Sequence, residues 1–240
     1  RANPNDYYQS LTAAFMHRPY HKMPLDSFAI SYLFGLANDE SNGFSELEAH
    51  CRQANLDPEK VISEMKSSPD VLQLVRDGNI DDDVYPLSIK LLKEFRNSNI
   101  FKKLISSKMS LGLEPMKDIG NVYCAALPAW IAAGLEEAAQ RGNELTNSNI
   151  LAVGYGSGDA AESIPMKLVK GWESSALKIG FKEALMSFQT LTQLQYENLH
   201  DTGLAKGLTE PQEGFIIDSV GQNSNPGFSD EGIEYYRFVG

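Results

Sequence analysis

Residues 149–169 read "NILAVGYGSGDAAESIPMKLV". A short apolar run ends at "GYGSG", and β-compatible residues resume by Ile164. Strand, glycine turn, strand is the reading that follows. Immediately upstream lies "DIGNVYCAALPAWIAAGLEEAAQRGNELTN", residues 118–147. From Asn121 its first half is apolar on nearly all sides, and a helix of that kind is buried in a protein interior. Its second half is polar, and Gly142 is a suitable C-terminal cap. A buried helix feeding a pair of strands predicts an α/β protein with a sheet covered on at least one face by the helix starting at Asn121.

The rest of the chain fits this alternation. "YYQSLTAAFM", residues 7–16, ends in an apolar run that fits either a helix end or a buried strand. A loop "HRPYHK" follows at 17–22. From Pro24 a helix is predicted, with apolar residues at 25, 28, 29, 32, 33 and 36. Residues 38–85 are polar and charged, with two short amphipathic helices capped by Ser45 and Asp57 and an acidic loop "DGNIDDDVYP". "PLSIKLLKEFRNSNIFKKLISSKM" is amphipathic, with Leu87, Leu91, Leu92 and Phe95 on one face. After Gly171 the chain is predicted helical over about 173–200. The tail holds two strand-like pieces joined by a Gly/Asn/Pro loop. There is no internal repeat.

Composition narrows the function. The 240 residues carry a formal net charge of -11, and the pI is about 4.8. A general nucleic-acid binder needs a positive field and is not expected; one or two local lysines still suffice for a phosphorylated small ligand. The two cysteines, Cys51 and Cys124, stand in unlike contexts, so a reducing cytoplasm is expected rather than a disulfide framework. No apolar stretch reaches the roughly 18–20 residues of a membrane helix. The polar N-terminus has no signal-peptide core and no initiator Met, as in a chain that begins inside a longer one.

Several residues carry two readings each. His17 is a structural histidine after an apolar run, or a catalytic ring oriented by Pro19; His21 in the same loop is a solvated bystander. The pair has no Cys, His or carboxylate companions at ligand spacing, so no metal is expected. Asn121 is an ordinary helix cap, or an amide that donates to a carbonyl oxygen gaining negative charge. "GYGSG" is a tight turn, or a place where a ligand approaches backbone amides beside Ser157. It lacks the spacing of a nucleotide loop or of a nucleophile elbow. Cys124 is expected as a buried helical thiol with a raised pKa. Cys51 has His50 beside it, but adjacent helical residues diverge and do not form a pair.

"HRPYHK", "GNVYCAAL" and "GYGSGDAAE" occur in one order, and in that order the chain resembles the C-terminal half of 3-hydroxy-3-methylglutaryl-CoA synthase, a member of the thiolase superfamily. The family pattern runs H-x-P-[FY]-x-K, G-N-x-Y, [GS]-Y-G-S-G. "LTQLQYENLHD" and "IEYYRFVG" resemble its late helix and closing strand. The resemblance spans nearly all of residues 1–240, least securely about 38–85, which it implies is a helical insertion. It implies half of a thiolase-like α-β-α-β-α sandwich, with a mixed sheet and a buried central helix. The implied reaction is the condensation of acetyl-CoA, or an acetyl-carrier, with acetoacetyl-CoA or a β-ketoacyl-carrier protein. That chemistry serves the mevalonate pathway or polyketide β-branching.

The resemblance also assigns roles. His17 falls on the catalytic acid/base, Asn121 on the catalytic asparagine that bonds the acetoacetyl portion, and Lys22 on a lysine contacting CoA. Ser157, Gly156 and Tyr123 fall on substrate-binding positions. CoA thioesters are substrates, and no separate cofactor or metal is implied. A second CoA lysine of the family is replaced here by Asp26, which leaves room for a carrier-protein substrate. The nucleophilic cysteine and glutamate base belong to an N-terminal half that these residues do not include, so the chain alone is expected to be inactive. A cytoplasmic homodimer bound to neither nucleic acid nor membrane is implied. Two alternatives stand beside this reading. One is a related ketoacyl synthase, which usually reads H-Q-A-N where this chain reads "HRPY". The other is a non-catalytic scaffold or interaction domain.

Overall fold

The computed structural model describes residues 3–39, 42–78, 84–156, 160–186, 188–203, 205–208 and 213–240. The chain splits into two units, Arg1–Met186 and Ser187–Gly240.

In the first unit, α1 (Pro4–Ser10) leads into β1 (Leu11–Met16), which settles the open reading of residues 7–16: helix, then strand. Ala13, Ala14, Phe15 and Met16 are all buried. A strand buried on both faces shows no polar alternation, which is why the run looked ambiguous. β1 pairs in parallel with β2 (Asn149–Gly156), and β2 pairs antiparallel with β3 (Ala160–Lys167), giving a mixed sheet of order β1-β2-β3. The predicted strand–glycine turn–strand is this β2–β3 hairpin. Lys108 reaches the start of β1, where its Nζ donates to the Leu11 carbonyl at 2.7 Å and the Gln9 carbonyl at 2.9 Å.

Six α-helices lie between β1 and the buried helix among the described residues. α2 (Met23–Ala37) buries Phe28, Ala29, Tyr32, Leu33 and Leu36, the face predicted from the sequence, with Pro24 in its first turn. It packs against α3 (Gly43–Gln53), α4 (Pro58–Lys66) and α6 (Pro86–Asn97). The Tyr32 and Phe95 rings stack at 5.9 Å. Asp57 caps α4 as predicted, accepting from the Glu59 N–H at 3.0 Å. Ser45 does not cap α3: it lies in the first turn, and its hydroxyl donates to the Asn42 carbonyl. α5 (Val71–Arg76) was not foreseen; residues 79–83 of the acidic loop lie outside the described residues. The long amphipathic stretch is two helices, because Ser98 breaks it and caps α7 (Asn99–Lys108) by accepting from the Phe101 N–H at 3.0 Å.

The buried helix α8 runs Ala126–Gln140, and so begins five residues later than predicted. Gly120 has φ +64° and Tyr123 φ +51°. Between them the Asn121 Oδ1 accepts the Tyr123 N–H at 2.9 Å. A short polar side chain competing for backbone N–H groups makes a turn instead of a first helical turn. α8 lies on the sheet through Trp130, edge-on to Phe15 at 5.9 Å. At Gly134 a Cβ would lie 2.5 Å from Phe15 Cε1, so this close approach requires glycine. Gly142 follows the helix with φ +68° and its N–H on the Ala139 carbonyl, as predicted.

The predicted helix over 173–200 is three short ones: α9 (Trp172–Ala176), α10 (Phe181–Leu185) and, in the second unit, α11 (Gln193–Thr202). Gly180, left-handed at φ +66°, separates α9 from α10. Buried Glu136 of α8 accepts the Phe181 N–H at 2.5 Å, which ties α10 to α8.

The second unit pairs β4 (Gly214–Val220) antiparallel with β7 (Glu234–Val239), with a small hairpin of β5 (Ser224–Asn225) and β6 (Phe228–Ser229) between them. These are the two strand-like pieces of the tail. α11 opens with a reciprocal capping box between Thr192 and Gln195. Among the described residues no helix is long and apolar enough to cross a membrane.

Candidate functional site

His17 follows directly on β1. Its N–H donates to the Val153 carbonyl at 2.8 Å, carrying the parallel pairing one residue past the strand. The histidine therefore stands at the carboxyl end of the β1–β2 parallel pairing, and the carboxyl ends of parallel strands are where open α/β sheets bind ligands. Its half-buried ring lies 6.2 Å from that of Tyr155 on β2, and it makes no side-chain hydrogen bond to a described residue.

Arg18 turns the other way. Only 4% exposed, it lies over the Trp130 ring at 5.5 Å and donates to the Leu113 carbonyl at 3.4 Å. Its second terminal nitrogen meets His21 Nδ1 at 3.0 Å. A guanidinium can only donate, so His21 Nδ1 accepts and its proton is assigned to Nε2. Arg18 was missed in the sequence. The signal available was a cation wedged between an apolar run and a proline, where burial needs a partner. His21 is exposed, as a bystander would be, but it is held by Arg18. Its pKa is lowered by desolvation and then by the charges of Arg18 and Lys117.

Lys22 is exposed at the start of α2 and makes no ion pair with a described residue. Asp26, which stands where the resemblance implied a second lysine, pairs with Arg96 of α6 at 2.9 Å. That carboxylate has a job within the fold: it ties α2 to α6.

Asn121 is not the cap of the buried helix; α8 is capped at Ala125. The residue is exposed, with Oδ1 committed to Tyr123 and Nδ2 without a hydrogen bond to any described residue. An uncommitted amide N–H is the group an oxyanion needs. Tyr123 is 74% exposed in the same turn. Cys124 is exposed rather than buried in a helix, because the turn Tyr123–Ala125 precedes α8. Arg18, Tyr20 and His21 line a cavity of about 130 Å³ together with Met116, Lys117 and Gly120. The "HRPYHK" loop is thereby brought against the segment that leads into Asn121. Gly156 ends β2 opposite Ala160; Ser157 lies outside the described residues. Among the described residues no group of three His, Cys, Asp or Glu side chains could hold a metal ion.

The fold is mixed α/β and thiolase-like, with β1 ending just before His17 and a buried helix against the sheet. It matches part of MvaS, solved in complex with 3-hydroxy-3-methylglutaryl coenzyme A. That match has a TM-score of 0.57 at 16% identity and covers 97% of this chain and 42% of that one. It also matches PksG, an HMG-CoA synthase from Bacillus subtilis, with a TM-score of 0.50 at 14% identity, covering 96% of this chain and 43% of that one. The fold is that of a partial HMG-CoA synthase-like domain, and the chain spans less than half the length of these solved chains. No family model matches the sequence, and no curated protein matches it.

Proposed function

We propose that this chain is the C-terminal portion of a hydroxymethylglutaryl-CoA synthase-type acyltransferase. The reaction is the attack of an acetyl-derived enolate on the ketone of acetoacetyl-CoA or of a β-ketoacyl-carrier protein. The observation that carries the reading is His17. It stands at the carboxyl end of the β1–β2 pair, its ring hydrogen-bonded to no described residue, in a fold shared with the solved structures above. In this role His17 donates to the ketone oxygen as charge develops and moves the proton. The free Nδ2 of Asn121 is the second donor. Lys22 anchors the phosphorylated carrier; Tyr123, Gly156 and Ser157 line the acyl group. The nucleophilic cysteine and glutamate base are supplied from an N-terminal half, and the assembled enzyme acts as a dimer.

The test is His17→Ala in a chain extended to include that half. Condensation of acetyl-CoA with acetoacetyl-CoA is expected to fall about 10²–10⁴-fold, the contribution of one acid–base group. The melting temperature should hold, because the ring makes no hydrogen bond to a described residue. Unchanged turnover would remove His17 from the chemistry. The 240 residues alone should show no turnover above background.

A further inference from the structure

We infer that the cavity lined by Arg18, His21 and Lys117 is a binding site for a phosphate-sized oxyanion.

The first observation is an uncompensated buried charge. Arg18 is more than nine-tenths buried and has no ion pair with a described residue. A guanidinium carries five N–H donors, and here the Leu113 carbonyl and His21 Nδ1 accept from two of them. Among the described residues Glu114 is the one carboxylate whose charge bears on Arg18. It is engaged elsewhere: its two oxygens accept from Lys117 Nζ at 2.7 and 2.8 Å. The Glu114–Lys117 pair is neutral as a unit, and the charge of Arg18 remains. A buried charge without a counter-ion is costly, so an anion that enters is held.

The second observation is the shape and lining of the space. It measures about 130 Å³, room for one small group, and Met116 and Gly120 complete its wall. Arg18 and His21 line it from one segment and Lys117 from another, with the Lys117 ammonium paired to Glu114. A guanidinium fork joined by donors from a second segment can serve an oxyanion with three or more oxygens, where a carboxylate offers two. The third observation is independent of the cavity's shape. His21 faces Arg18, Lys117 and Lys22 as cations and only Glu114 as an anion, and it resists protonation. A bound oxyanion reverses that field.

None of this rests on the condensation proposed above, and the experiment needs no turnover. Inorganic phosphate is titrated into the 240-residue chain at constant ionic strength while the His21 ring proton is followed by NMR across pH. Phosphate should raise the His21 pKa, with chloride having no such effect. Lys117→Gln should weaken phosphate roughly tenfold, the effect of one charged hydrogen bond. Arg18→Met should abolish binding. If that variant fails to fold, Lys117→Gln and His21→Gln carry the test, because both side chains are on the surface; where His21 is replaced, phosphate binding is read by titration calorimetry. A second arm uses adenosine 3′,5′-bisphosphate. Tighter binding than phosphate assigns the site to a nucleotide-borne phosphoryl group, and equal binding assigns it to a free oxyanion. Either supports the site. A His21 resonance indifferent to phosphate overturns it, as do acetate binding as tight as phosphate or full binding by both surface variants.

Discussion

Burial separates residues that look alike in the sequence. Cys51 is inaccessible, and desolvation pushes its thiol up to about 11. Cys124 sits on the surface of the turn before α8. The thiolate is the reactive form, so a raised pKa and burial act together on Cys51. One thiol per chain should react with a disulfide reagent near neutral pH in the folded protein, and two after denaturation; mass spectrometry should place the first label on Cys124. Two native labels, or one on Cys51, would contradict the burial described here. The sequence reading put Cys124 inside a helix because "NVYCAAL" continues the apolar pattern of "PAWIAAG". Its mistake was to let hydrophobicity outweigh the Gly120–Asn121 pair, which marks a turn. Arg18 was overlooked for a related reason. A cation's burial depends on what lies across the fold, here Trp130, over 100 positions away in the chain.

Among the elements, those with strong local patterns were legible. α2 shows its buried face as a periodicity, and the β2–β3 hairpin shows itself as two runs around glycines. Boundaries set by single side chains were not. Ser98 splits α6 from α7, and left-handed Gly180 stands between α9 and α10, where periodicity runs on. Contacts between elements were invisible. Glu64, at the end of α4, places its carboxylate on the start of α6: it accepts the Leu87 N–H at 3.1 Å, the Ser88 N–H at 2.6 Å and the Ser88 hydroxyl at 2.7 Å. A helix start leaves backbone N–H groups unpaired, and Glu64 fills that need from a different helix. Glu64→Ala should therefore cost about 1–2 kcal/mol, the range of a lost cap. A denaturant titration measures it. Glu64→Gln should recover part of the loss, because an amide oxygen still accepts. An unchanged midpoint for the alanine variant would mean that water satisfies the α6 start equally well. The site was legible to the same degree: His17 lies where strand and loop meet, as its position after an apolar run implied, whereas the late start of α8 moved Asn121 from a cap into an exposed turn.

Across the whole molecule, stability is unevenly distributed. The buried hydrophobic side chains run from Leu11 to Ala176, all within Arg1–Met186. Among its described residues Ser187–Gly240 buries none, and Phe215, Ile217, Tyr236 and Phe238 on its β4–β7 pair are exposed. A two-stranded ribbon without a buried face is marginal in water. Its hydrogen bonds open locally without disturbing the larger core. Native-state hydrogen exchange on the 240-residue chain should show this directly. Amides of β1, β2, α2 and α8 should exchange at the rate of global unfolding. Those of β4 and β7 should exchange roughly tenfold faster or more. Exposed aromatic clusters of this kind mark surfaces that other protein covers. Under the proposed function the remainder of the enzyme is that cover. In the extended chain, protection of residues 214–239 should accordingly rise while that of β1 and β2 changes little. Equal protection of both units in the 240-residue chain would mean that the β4–β7 pair is stabilised without a buried face.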